Sequence, residues 1–136
     1  MINELIKLMK DQEKDLTELL ELLETQYKMI MSKDVFGLEG LVDKINECGK
    51  RIAQEEVKRR KLTEDIGIKD IIVKTNDDEL SQIYKKIQNT LNKVVFQKET
   101  NELFLKKQMI FNNKMINIMN PNREIKMYNS YGNLSR

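Results

Sequence analysis

The spacing of apolar residues in the first thirty positions most constrains what this chain can fold into. Leu5, Met9, Gln12, Leu16, Leu19, Leu23, Gln26 and Ile30 follow one another at steps of four, three, four, three, four, three and four. That is the heptad seam of a helix packed lengthwise against other helices. Leu8, Leu20 and Tyr27 widen the stripe, so a helix is expected over about residues 2–31.

The stretch "MSKDVFG" interrupts the pattern. Ser32 or Asp34 can cap a following helix by accepting a hydrogen bond from an orphan N–H of its first turn. A second helix, about 35–66, has the seam Leu38, Leu41, Ile45, Cys48, Ile52, Glu55, Arg59, Leu62 and Ile66. The short turn makes helices one and two antiparallel. Gly49 flanks this seam, where close helix approach is one reason for a glycine. Gly67 reads as the residue that ends the helix. "KDIIVK" can form a short helix over one end of the bundle. Asn76 or Asp77 then caps a third helix, about 78–120, with carboxylates in its first turn to suit the helix dipole. Polar residues on the seams (Glu55, Arg59, Lys98, Asn101) set register between helices. The expectation is an all-α fold: an antiparallel three-helix coiled-coil-like bundle over 1–120, and a flexible tail over 121–136 after Pro121.

Composition agrees with long helices. The 136 residues include only 5 Gly and 1 Pro, no Trp, and 34% charged residues. A length of this size reads as one domain. At ~1.5 Å per residue the first two helices reach roughly 45–48 Å and the third more than ~60 Å. The end of the third helix therefore outruns its partners.

The third helix also changes character along its length. Leu80, Ile83, Tyr84, Ile87, Leu91, Val94 and Val95 fall within an arc of ~120° on a helical wheel, the width of one core face. Phe104, Leu105, Met109, Phe111, Met115, Ile116, Ile118 and Met119 spread over ~180°, with Gln108 and Asn112 dividing the arc. Leu103 and Ile110 extend it further. One half of this surface can complete the bundle, and the other has no partner in the chain. Exposed apolar surface of this kind marks an interaction site. Phe104, Met109, Phe111, Met115, Ile116 and Met119 are the candidate binding residues. Met suits a surface that receives a helix without tight steric demands.

Several functions are disfavoured. A net charge of +2 argues against non-specific nucleic-acid binding. Its distribution is uneven: residues 1–31 are mainly acidic, and from Leu103 onward Lys106, Lys107, Lys114, Arg123, Lys126 and Arg136 face Glu124 alone. Cys48 is the single cysteine and histidine is absent, so an internal disulfide is impossible and a structural zinc site lacks its usual ligands. Neither GxGxxG nor GxxxxGK[ST] occurs, and the Glu-x-x-His pairs of a di-iron bundle cannot be formed. Apolar runs are short, such as "IIV" at 71–73, whereas a membrane span needs roughly 20 residues. The N-terminus lacks a signal-peptide pattern. The expectation is a cytoplasmic protein that is not an enzyme, needs no cofactor or metal, and inserts into no membrane.

The segment "LTELLELLETQYKMIMSKDVFGLEGLVDKINECGKRIAQEEVKRRKL" carries Leu19, Leu20, Leu22, Leu23 and Glu24, then Asp34, then Leu38, Leu41, Lys44 and Arg51. The tail "MYNSYG" carries Tyr128 followed four residues later by Gly132. In these residues, and in the order of its helices, the chain resembles the FlgN family of flagellar export chaperones. The resemblance implies a chaperone in type III flagellar export. Its clients are hook-associated proteins of the hook–filament junction, whose C-terminal helical segment docks on the C-terminal part of the chaperone. The tail, here Tyr128 and Gly132, is implied in docking on the membrane protein of the export gate. The alternative is a structural or adaptor coiled coil that self-associates through the apolar face of helix three. The expected state is a monomer or weak homodimer.

Overall fold

The computed structural model describes the backbone of residues 1–119 and the side chains of residues 1–113. It contains four helices: α1 (Ile2–Ser32), α2 (Val35–Leu62), α3 (Ile68–Thr75) and α4 (Asp78–Met119), with no strand among the described residues. The proposed tail, with Pro121, Tyr128 and Gly132, lies outside them.

Local chemistry sets the boundaries. Lys33 closes α1 in the left-handed conformation, φ 58°. The Asp34 N–H then reaches back to the Met29 carbonyl at 2.9 Å, satisfying an orphan acceptor of the helix end. Asp34, not Ser32, caps α2: its Oδ1 accepts from the Gly37 N–H at 2.9 Å. A Cβ at Gly37 would lie 2.9 Å from Met29 Sδ and closer still to the Asp34 side chain, so the capping carboxylate and Met29 would have to shift to admit one. Asp77, not Asn76, caps α4, accepting from the Leu80 N–H at 2.9 Å.

The end of α2 departs from the sequence expectation. The helix stops at Leu62, four residues before the expected Ile66. The buried Thr63 hydroxyl donates to the Arg59 carbonyl at 3.0 Å, and Glu64 and Asp65 take positive φ. Gly67 does not end α2. It stands at the start of α3 with φ −61°, where its left-handed freedom goes unused.

α1 is the shared centre. Gln12 pairs with Glu56 at 3.1 Å, and Arg51 reaches Asp15 at 3.5 Å, so α2 runs antiparallel to α1. Lys10 pairs with Glu79, Thr90 with Glu13, Asn101 with Leu23 and Gln108 with Ile30, so α4 runs parallel to α1. One core joins Leu5, Met9, Leu16 and Leu23 of α1 to Leu80, Ile87 and Val94 of α4. Fully burying such a side chain contributes about 1.5–3 kcal/mol. Ile71 of α3 enters the core at the end where α1 begins.

α2 is held more loosely. Only Leu41 and Cys48 of its seam are buried, while Ile45 and Ile52 are half-buried. It packs along α1 but makes no extended contact with α4. Leu91 and Val95, placed in the core face by their spacing, are consequently exposed. A cavity of about 490 Å³ opens between the two helices, bounded by Leu16, Gly49, Ile52, Tyr84 and Leu91 among others. Gly49 does not mark a close helix approach. A Cβ there would meet nothing within 4 Å, so the helix carries a cost of about 1 kcal/mol relative to Ala without a packing return.

Candidate functional site

The far half of α4 is fixed to α1 by polar side chains before its apolar face is presented. Asn101 is 1% exposed. Its Nδ2 donates to the Leu23 carbonyl at 2.8 Å and to Gln26 Oε1 at 2.9 Å, and its Oδ1 accepts from Gln97 at 2.9 Å. Gln108 donates to the Ile30 carbonyl at 2.7 Å. Between these two locks, Tyr27 meets Phe104 edge to face at 5.7 Å, and Lys107 lies 5.5 Å over the same ring. A polar pair at each end and an aromatic pair between them hold one rotation of α4. That rotation decides which side chains remain on the outside.

Many of those outside are apolar. Leu103, Leu105, Met109, Ile110 and Phe111 are exposed, Phe111 at 57%. At the start of α2, Val35 and Phe36 are exposed, and of these two Val35 lines the cavity that faces α4. A cavity of about 890 Å³ lies between the start of α2 and this part of α4, with Val35, Leu38, Leu103 and Met109 in its walls and Lys33, Glu99, Glu102 and Lys106 around them. α1 ends at Ser32, level with Gln108. α4 continues to Met119, about 16 Å further at 1.5 Å per residue. α3 packs on the opposite end of the molecule, against the beginning of α1, so it cannot cover this surface.

Of the residues singled out in the sequence, Met109 and Phe111 are both exposed, but two positions apart on the helix they point to different sides, and of the two Met109 lines the cavity. Phe104 turns inward to Tyr27 and anchors the helix. Met115, Ile116 and Met119 lie on α4, but their side chains are outside the described residues, as are Tyr128 and Gly132 altogether. Sequence reasoning did not assign Val35 to the site. An exposed apolar residue directly after a helix cap was the available signal.

The α1–α2 boundary carries the perturbed charges. Glu55 Oε1 is buried without a hydrogen-bond partner. Burial, and then the neighbouring Asp15 and Asp11 carboxylates, push the Glu55 carboxyl up to about 7, with Arg51 pulling the other way. Hydrogen bonding from Arg59, aided by Gln12, holds Glu56 below the usual carboxylate range despite its burial. Burial likewise raises the Cys48 thiol, whose Sγ lies 3.2 Å from the Asp15 carbonyl, so it is a packed thiol and not an activated one. Among the described residues no group of His, Cys, Asp and Glu side chains is arranged to hold a metal ion. No described helix is long and apolar enough to cross a membrane.

The sequence pattern of the family described as FlgN protein matches residues 1–136. The chain belongs to the FlgN family. Among curated proteins and solved structures, none matches it. Membership supports a role as a flagellar export chaperone in general.

Proposed function

We propose that this protein is a cytoplasmic chaperone that binds the C-terminal helical segment of hook-associated proteins, prevents premature polymerisation, and delivers them to the export gate. One observation carries the reading: Leu103, Met109 and Phe111 stay exposed although Asn101 and Gln108 lock the rotation of the helix that bears them. A soluble helix held with its apolar side outward is built to receive an apolar partner. Segments that polymerise through an amphipathic face are silenced when that face is covered by helix-in-groove contact. Ordering such a segment costs about 2–5 kcal/mol, which keeps the complex releasable. Met115, Ile116 and Met119 extend the client surface, and Phe104 supports it from beneath. Tyr128 and Gly132 form the docking element for the export gate. No catalytic residue, cofactor or nucleic acid takes part.

The test is capture of the C-terminal segments of candidate hook-associated proteins. The native chain retains such a segment. The double variant Met109→Asp, Phe111→Asp keeps its helicity and loses at least about tenfold in affinity, since each removes an exposed apolar side chain whose burial by the segment contributes about 1 kcal/mol. A native chain that dimerises through this face and ignores the segments is a self-associating coiled coil, not a chaperone. Deleting residues 122–136 leaves helicity nearly unchanged and weakens delivery to the export machinery. A large loss of thermal stability on that deletion contradicts the docking role.

A further inference from the structure

The cavity beside the client surface and the cavity between the middles of α2 and α4 lie along one boundary. On α2, Val35 and Leu38 bound the first, Gly49 and Ile52 the second. Val42 and Ile45 stand between them on the same helical stripe, one exposed and one half-buried. On α4, Leu91 bounds one cavity and Glu99 the other, with exposed Val95 between. The two helices run antiparallel on a common floor, α1, without packing together. From Tyr84 to Met109 this wall is about 38 Å long, the length of a helix of roughly 25 residues. Two walls and a floor of helix, with apolar side chains on both walls, have the shape left when one helix is removed from a four-helix bundle.

The charges narrow the choice of occupant. Lys33, Glu99, Glu102 and Lys106 border the cleft at its distal end. Among the described residues none of the four forms an ion pair within the chain. The two carboxylates lie together, and a lysine follows within about one turn.

We infer that the cleft between α2 and α4 seats one amphipathic helix of a client protein along its whole length, with a basic group opposite Glu99 and Glu102 and an acidic group about one turn away opposite Lys106 and Lys33. The identity of the occupant rests on the chaperone reading. The seat itself goes beyond it, since it brings α2 into the client surface. It also gives a reason for Gly49. The open space over its Cα is the path of the incoming helix, which a side chain would obstruct.

Gly49→Leu tests the seat, with Ala53→Leu as a second variant on the same wall. The probe is a synthetic peptide of the C-terminal helical segment of a hook-associated protein from the same genome. It is titrated into each chain, and amide hydrogen exchange is recorded with and without it. Both variants should melt no lower than the native chain, because neither site is enclosed. Both should bind the peptide about tenfold more weakly, the cost of forcing a bulky side chain into a filled interface. Bound peptide should slow exchange in residues 42–56 as well as beyond Leu103. Native affinity in both variants, with protection confined to α4, overturns the seat and leaves the chaperone reading intact. A native chain that binds no such peptide, and sizes as a dimer protected along the cleft, overturns both.

Discussion

Asn101→Ala is the sharpest test of how α4 is held. The side chain is 1% exposed and makes three hydrogen bonds, two of them to α1. Each such bond contributes about 1 kcal/mol net. The groups left behind soften the loss. The Leu23 carbonyl belongs to an intact helix, and Gln26 and Gln97 are half-buried and can reach water. The total loss is therefore about 2–3 kcal/mol. For a chain of this size that lowers the melting temperature by about 10 °C, at 3–5 °C per kcal/mol. Circular dichroism melts and urea titrations of native and variant chains measure it directly. The urea slope should stay constant, since the surface exposed on unfolding does not change. A fall of less than about 3 °C would mean that Asn101 is not the lock, and the fixed rotation of α4 would need another cause.

Other outcomes follow from the same geometry. Asp34→Ala removes the cap of α2 and should cost about 1 kcal/mol, read from the urea midpoint. The glycines should behave oppositely. Gly37→Ala destabilises because its Cβ meets Met29 and Asp34, and Gly49→Ala stabilises by up to about 1 kcal/mol because it meets nothing. Glu55 has a folded-state carboxyl raised to about 7 from an ordinary 4.5, so the native state binds its proton more tightly than the unfolded chain. Its contribution is most favourable below 4.5 and is lost as pH rises toward about 7. Glu55→Gln should flatten the melting temperature across that window, and an unchanged pH profile would remove Glu55 as its source. The lowered Glu56 acts in the opposite sense, contributing stability that is lost on acidification below its ordinary range.

How much of this was legible in sequence depended on the helix. In α1 most of the seam holds: Leu5, Met9, Gln12, Leu16, Leu23 and Ile30 are buried and Leu19 and Gln26 half-buried, because α1 has a neighbour on both sides of its stripe. The same spacing in α2 overstated the core. Heptad positions say which residues face a neighbour, not how many neighbours there are, and α2 has only α1 along its length. Leu91 and Val95 failed as core predictions for the complementary reason, since α2 does not close over α4. The end of α2 was hidden because Glu64 and Asp65 adopt positive φ, a conformation rarely signalled by those residues. On α4 the wheel revealed a widened apolar arc, but not that Phe104 would turn to Tyr27 while Met109 and Phe111 remained outside. That choice is made by Asn101 and Gln108, whose partners on α1 are more than seventy positions away in sequence.

The most direct test is a calorimetric titration of the C-terminal segment of a hook-associated protein into the native chain and into the Met109→Asp, Phe111→Asp variant, with light-scattering mass measured on both. The native chain should be monomeric and bind one segment per molecule, and the folded variant should bind it at least about tenfold more weakly. Equal affinity in the two chains, or a native dimer that takes up no segment, would contradict the chaperone reading.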